Sequence, residues 1–171
     1  MNHIGHFLHS QTPTAMRPLL GLTILLVEDS LTACEAMRLM CLRSGGRIRR
    51  ADCLESARRH LQVYRPSIVI TDMGLPDGSG ADLISEITQG GPTVEVVLGL
   101  SADPDQAAVA MAAGAHGFIA KPIQSIAEFQ ATILAYLPDD RQPKGPRRVD
   151  ASTIHADKLA IQEDLAMALN M

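Results

Sequence analysis

Between residues 22 and 137 the chain repeats one rhythm: a short apolar run, a stretch with apolar residues at helical spacing, then a break. Residues 22–27 are apolar almost throughout and end in Glu28 and Asp29; 31–43 carry Leu31, Cys34, Met37 or Arg38, Cys41 and Leu42 at helical spacing, stopped by Ser44-Gly45-Gly46. This predicts a strand followed by a helix. Residues 47–51 read as a weaker strand and 54–64 as a second helix, which Arg65-Pro66 breaks ahead of the apolar strand 67–71, leaving Asp72 at a strand's carboxyl end. The rhythm continues with a helix at 81–88, a break at Gln89-Gly90-Gly91-Pro92 and a strand at 94–98 that runs out near Ser101. A helix at 104–113 closed by Gly114, a short strand at 117–120, Lys121-Pro122 and a helix at 125–137 complete it. Strands that are apolar throughout belong in a parallel sheet covered on both sides, so the predicted class is α/β, a doubly wound five-stranded parallel sheet with helices on both faces.

The chain outside this region reads differently. Residues 1–20 hold two prolines and His3, His6 and His9 without a steady period, and are expected to form a flexible N-terminal arm. The three histidines could gather a metal ion, but no carboxylate or cysteine accompanies them, and a solvated arm is the better reading. The domain proper is expected over 21–137, followed by a Pro-rich linker at 138–149. In the stretch 150–171, Ile154, Ile161, Leu165, Ala168 and Leu169 share one helical face with Glu163 opposite, which predicts a C-terminal amphipathic helix. That helix is expected to bury its apolar stripe on its own domain or on another molecule. So short a segment supplies neither a helix-turn-helix module nor an output enzyme.

Composition narrows the function classes. The 171 residues suit one domain of ordinary size, and Lys plus Arg count 15 against Asp plus Glu 19, a net charge of -4 that lacks the basic excess of a nucleic-acid binder. With no Trp, two Tyr and three Phe, base-stacking platforms are excluded and the core must be aliphatic. Cys34, Cys41 and Cys53 form no CxxC pair and leave an odd thiol, which favours a reducing, cytoplasmic compartment. No signal peptide is legible, and the longest apolar run, 19–27, falls short of the roughly 20 residues of a membrane span.

In doubly wound sheets, ligands bind beyond the carboxyl ends of the strands at the switch point. Glu28, Asp29, Asp72, Ser101 and Lys121 lie on that edge. Three converging carboxylates repel one another unless a cation neutralises them, and an all-oxygen set without His or Cys suits a hard ion such as Mg²⁺. The glycine-rich loop after Asp72 offers backbone carbonyls nearby. Lys121 and Ser101 supply the cation and hydroxyl that hold phosphoryl oxygens. Together these groups read as phosphoryl transfer to a carboxylate, with the central Asp72 as nucleophile. Singly, each has a plain alternative as a cap or turn residue; the ordered set is what carries the chemistry.

The segments Ile24-Leu25-Leu26-Val27-Glu28-Asp29-Ser30, Ile68-Val69-Ile70-Thr71-Asp72-Met73-Gly74-Leu75-Pro76-Asp77-Gly78-Ser79-Gly80, Ser101-Ala102, Gly114-Ala115 and Phe118-Ile119-Ala120-Lys121-Pro122 resemble the receiver domain of two-component response regulators, over about 22–137. The resemblance implies a flavodoxin-like strand order 2-1-3-4-5. It implies Asp72 as phosphoacceptor, Asp29 as a direct Mg²⁺ ligand, Glu28 acting through water and Gly74 giving its backbone carbonyl to the metal. Ser101 and Lys121 become the residues that bind the phosphoryl group, Phe118 the aromatic that turns inward, and Lys121-Pro122 a peptide often cis. Implied partners are a histidine kinase or histidine phosphotransfer protein, and downstream a protein target or a second copy of the chain, with no direct nucleic-acid or membrane contact. Two readings compete: a phosphate-independent adaptor, against which the intact acidic set argues, and an aspartyl-phosphate phosphohydrolase, against which Gly74 argues because an acid-base Asp is usual there. Arg47, Arg49 and Arg50 make the second strand basic, read as charge protecting a sheet edge, with a docking patch for an acidic partner as the alternative.

Overall fold

The computed structural model describes residues 17–90 and 93–141. Within them, strands β1 (Thr23–Val27), β2 (Arg47–Ala51), β3 (Ile68–Asp72), β6 (Val96–Ser101) and β7 (Gly117–Ala120) build one sheet, and β4 (Gly74–Leu75) pairs antiparallel with β5 (Gly78–Ser79) in a small hairpin. The main sheet is parallel in the order β2-β1-β3-β6-β7. Counting only its own strands, that is the expected order 2-1-3-4-5. The chain leaves β1 toward β2 and then returns past it to β3, so the switch point lies between the carboxyl ends of β1 and β3. The hairpin falls within the stretch expected to be loop; two-residue strands leave no period to read.

Helices α1 (Leu31–Arg43), α2 (Leu54–Val63), α3 (Gly80–Thr88), α4 (Gln106–Ala112) and α5 (Ile126–Tyr136) cover both faces. Strand residues alternate between the two. Ile24, Leu26, Ile68, Ile70, Val96 and Leu98 pack with Cys34, Met37 and Cys41 of α1 and Phe129 and Ile133 of α5. Leu25, Val27, Val69 and Val97 pack with Ala57 and Leu61 of α2, Leu83, Ile84 and Ile87 of α3, and Ala110 of α4. The aliphatic core expected from composition is therefore two layers divided by the sheet. Burial pushes the Cys41 thiol up to about 11, and raises Cys34 as well, so neither is a reactive thiolate at neutral pH.

Local chemistry sets the helix ends. The side chains of Ser30, Cys53, Ser79 and Ser125 accept from Ala33, Ser56, Ala81 and Glu128 backbone N–H respectively, and Glu128 answers by accepting from Gln124 N at 2.8 Å. Past the ends of α1 and α4, Gly45 and Gly114 adopt φ 86° and 104°, the left-handed conformation that terminates a helix.

Two expectations are corrected by packing. Leu31 and Leu42, placed on the apolar face of α1 by spacing, are exposed, and the buried stripe is Cys34, Met37 and Cys41. The arm expected over 1–20 gives way to packed chain before its end, because Leu19 is fully buried and donates its N–H to Ser44 O at 2.9 Å. At the other end, Leu137 closes the core and Arg141 forks onto the Glu95 carboxylate. The histidine-bearing arm and the expected amphipathic helix lie outside the described residues. No helix among the described residues is long and apolar enough to cross a membrane.

Candidate functional site

The carboxyl ends of β1, β3, β6 and β7 carry the residues singled out by sequence. Asp72 is the last residue of β3 and is 8% exposed; Glu28, one residue past β1, is 1% exposed. Asp29 beside it is open to solvent. Carboxylate oxygens of these three lie within 4.8 Å of one another. Lys121, which follows β7 directly, reaches into the cluster and donates from Nζ to Glu28 Oε2 at 3.0 Å and to Asp72 Oδ2 at 3.1 Å. Its backbone N–H is held by Ser101 O at 2.9 Å, and the Lys121-Pro122 peptide is cis.

Electrostatics explains why the cluster holds together. Burial pulls the Lys121 ammonium down, but its hydrogen bonds to Glu28 and Asp72 outweigh that and raise it above its ordinary value. Glu28 Oε1 accepts from Ser30 N at 2.9 Å, so a nearly buried carboxylate is satisfied on both oxygens. Asp72 Oδ1 has only a long contact, 3.4 Å from Gly74 N. One ammonium against three carboxylates leaves an excess of negative charge on an accessible edge. The donor set fits a hard divalent cation: all oxygen, no His or Cys, one exposed ligand through which an ion can enter.

The remaining predicted residues are nearby but engaged elsewhere. Ser101 Oγ accepts from Asp103 N at 3.1 Å and makes no hydrogen bond to Asp72. Phe118, in β7, is half-buried against the apolar layer that holds Ala110 of α4. Gly74 is exposed, and a Cβ built there would meet nothing within 4 Å.

Three further residues contribute in ways that sequence reasoning did not assign. Gly80 lies so close behind Asp72 that a Cβ would come 2.1 Å from Asp72 O; the loop returns against the strand end only because glycine is there. Asp77 accepts from Leu54 N at 2.8 Å and Glu55 N at 3.0 Å, tying the loop after Asp72 to the start of α2. Those backbone bonds hold its carboxyl below the usual range. Arg50 donates to the backbone carbonyls of Glu28 and Asp29. The Asp77 and Arg50 contacts join segments 23 and 22 positions apart, and the Gly80 approach depends on how its loop folds back on the strand end. A cleft of about 730 Å³, lined by Arg58, Leu83 and Glu86 among others, lies between α2 and α3, away from the carboxylates.

The response regulator receiver domain family matches residues 24–133. The chain is similar to the KDP operon transcriptional regulatory protein KdpE of Escherichia coli (strain K12), 29% identical over 110 residues, 64% of this chain and 48% of that protein. It is similar also to the transcriptional regulatory protein DpiA of the same strain, 30% identical over 105 residues, 60% of this chain and 46% of that protein. The chain spans about half the length of these curated relatives. Among solved structures, one described as a response regulator from Chloroflexus aurantiacus J-10-fl is 27% identical with TM-score 0.62, over 67% of this chain and 96% of that one. Chemotaxis response regulator CheY4 of Vibrio cholerae shares the fold at 20% identity and TM-score 0.59, over 68% of this chain and 98% of that one. With the five-stranded order, the acidic edge and a family match over most of the folded region, the chain belongs to the response regulator receiver domain family.

Proposed function

We propose that the protein is a phosphorylation-controlled signalling module whose phosphoacceptor is Asp72. The observation that carries this reading is Lys121 Nζ bridging Glu28 and Asp72 at the sheet edge, beside the open carboxylate of Asp29. In the proposed step an Asp72 carboxylate oxygen forms a bond to phosphorus as the bond to the donor's imidazole nitrogen breaks. The imidazole leaves with the electron pair and regains a proton, and Asp72 becomes an acyl phosphate. Asp29, Asp72 and the Gly74 carbonyl, with Glu28 through water, would hold Mg²⁺, which supplies neutralisation of charge on the transferring group. Lys121 would neutralise part of the same charge, and its bond to Asp72 orients that carboxylate. Ser101 is proposed to exchange its bond to Asp103 N for one to the phosphoryl group, and Phe118 to move into the space this vacates.

The donor is proposed to be a histidine kinase or histidine phosphotransfer protein, acting in the cytoplasm, and the output a change in binding to a downstream protein or to a second copy. We propose no enzymatic turnover beyond the chain's own phosphorylation and dephosphorylation; the open position at Gly74 supports this against a phosphohydrolase, and the paired acidic cluster supports it against a phosphate-independent adaptor. A second reading, control of transcription, is favoured by the relatives, which are transcriptional regulatory proteins of about twice the length.

The test is labelling by a small phosphodonor with Mg²⁺. The wild type should gain one phosphoryl group, and Asp72→Asn should keep its fold and gain none. Labelling that persists on another carboxylate overturns the assignment. DNA binding that appears only on phosphorylation would favour the transcriptional reading.

A further inference from the structure

The three arginines of β2 do not act alike. Ile48 of this edge strand packs toward the α1 and α5 layer and Ala51 toward the opposite one, so Arg50 projects with Ile48 and Arg49 with Ala51. Arg49 lies over the Tyr64 ring, 4.3 Å from its centroid. Arg50, paired in register with Leu26, stands two positions before Glu28 on the neighbouring strand. Its guanidinium donates from Nε to Glu28 O at 3.2 Å and from Nη2 to Asp29 O at 3.0 Å. A side chain that only shields a sheet edge with charge points into solvent; this one grips the turn from β1 into α1.

The β1 and β2 ladder ends where Glu28 N donates to Ala51 O at 2.9 Å. Beyond that point the turn loses sheet hydrogen bonds, and Arg50 takes its next two carbonyls. Both belong to residues whose carboxylates join the acidic cluster. A planar fork on two successive carbonyls restrains both peptide planes, and with them the directions in which the Glu28 and Asp29 side chains leave the backbone. We propose that Arg50 is a positioning residue for cation binding by Glu28, Asp29 and Asp72, an inference that rests on the Mg²⁺ site proposed above. The charge of Arg50 acts in the opposite sense, since a fixed cation opposes a second one. Arg50 is exposed, however, so solvent and salt screen its charge, while the restraint on the backbone is unaffected by screening.

The test compares Mg²⁺ affinity, by calorimetry of the full chain at physiological ionic strength, in the wild type, Arg50→Lys, Arg50→Met and the control Asp29→Asn. Lysine keeps the charge but loses the planar fork. Both Arg50 variants should bind Mg²⁺ about 10-fold more weakly, as loss of a group that orients metal ligands does, with little change in melting. Without Mg²⁺, the Ser30 amide, held by Glu28 Oε1, should exchange faster in both variants. Tighter binding in Arg50→Met with no change in Arg50→Lys would mean that Arg50 acts through charge alone, and the proposal fails. Unchanged affinity in both variants, with lower melting or self-association, would make Arg50 an ordinary edge residue and overturn the proposal while leaving the site intact. A wild type that binds no Mg²⁺, or an Asp29→Asn chain that binds as well as wild type, overturns the site reading itself and the proposal with it.

Discussion

Lys121 is the residue on which the acidic edge depends. Glu28 is almost fully buried and Asp72 nearly so, and burying two carboxylates together costs more than either alone unless a cation offsets them. Because its bonds to both carboxylates raise Lys121 above its ordinary value, the lysine's own charge is fully in place at neutral pH and up to about 10, and its part of the bridge is lost as the pH climbs through the higher folded value. Measurements at neutral pH therefore sit on the plateau. Replacing Lys121 by Met should lower stability by about 1.5–3 kcal/mol without Mg²⁺, the range for hydrogen bonds to charged groups. Added Mg²⁺ should then restore more stability in the variant than it adds to the wild type, because the ion takes over the lysine's charge. Urea unfolding with and without Mg²⁺ checks this; an equal response in the two proteins would show that Lys121 does not offset the carboxylates.

At the scale of elements, the loop from Asp72 to α3 is held at both of its turns. At its end, Gly80 N donates to Met73 O at 3.1 Å and the missing Cβ lets the loop lie against Asp72 O. Gly80→Ala must displace backbone, since no flexible side chain is there to yield, and should cost about 1–3 kcal/mol while slowing phosphodonor labelling. A melting curve indistinguishable from wild type would refute the close approach. Midway, Asp77 caps α2 from outside the helix. Its lowered carboxyl means that the cap is present above about pH 4 and is lost as the pH falls through its folded value. Asp77→Asn should therefore melt below wild type at neutral pH, and the gap should narrow in acid. A gap independent of pH would mean that the charge of Asp77 plays no part. β2 is the least buried strand of the five-stranded sheet, and its Arg49 and Arg50 serve the stacking of Tyr64 and the turn beside it rather than the sheet edge alone.

For the whole molecule, the proposed function requires that phosphorylation bias two arrangements of the face built from α4, β7 and α5. In the arrangement described here Ser101 is tied to Asp103 N and Phe118 is half-buried. Gly99 admits Phe118 and Ala110 together, since a Cβ would come 3.2 Å from Phe118 Cδ2 and 2.7 Å from Ala110 Cβ. Coupling in such switches is about 1–3 kcal/mol, so phosphodonor treatment should change self-association or partner affinity by roughly 5- to 150-fold. Ser101→Ala should still be labelled on Asp72 yet lose most of that change. Full switching in the variant would remove Ser101 from the mechanism.

The alternation of apolar strands and helices, the class of sheet, and the placing of Asp72 and Lys121 at strand ends were legible in the chain as written, because each rests on periods and breaks within about a dozen residues. The meeting of Glu28, Asp29 and Asp72 was legible for the same reason: residue type and strand position put three carboxylates at one edge. Contacts were another matter. Lys121 meets Glu28 across 93 positions, Asp77 meets α2 across 23, and Arg50 meets the turn after β1 across 22. Local spacing also set Leu31 and Leu42 beside Cys34 on one face of α1, although only the seat of that helix on the sheet determines which stripe is buried. Sheet order and register decide these pairings, and both arise from burial of the two core layers as a unit. Only the tertiary structure could therefore turn Arg50 from a charge on an edge into a clamp on the turn that carries Glu28 and Asp29.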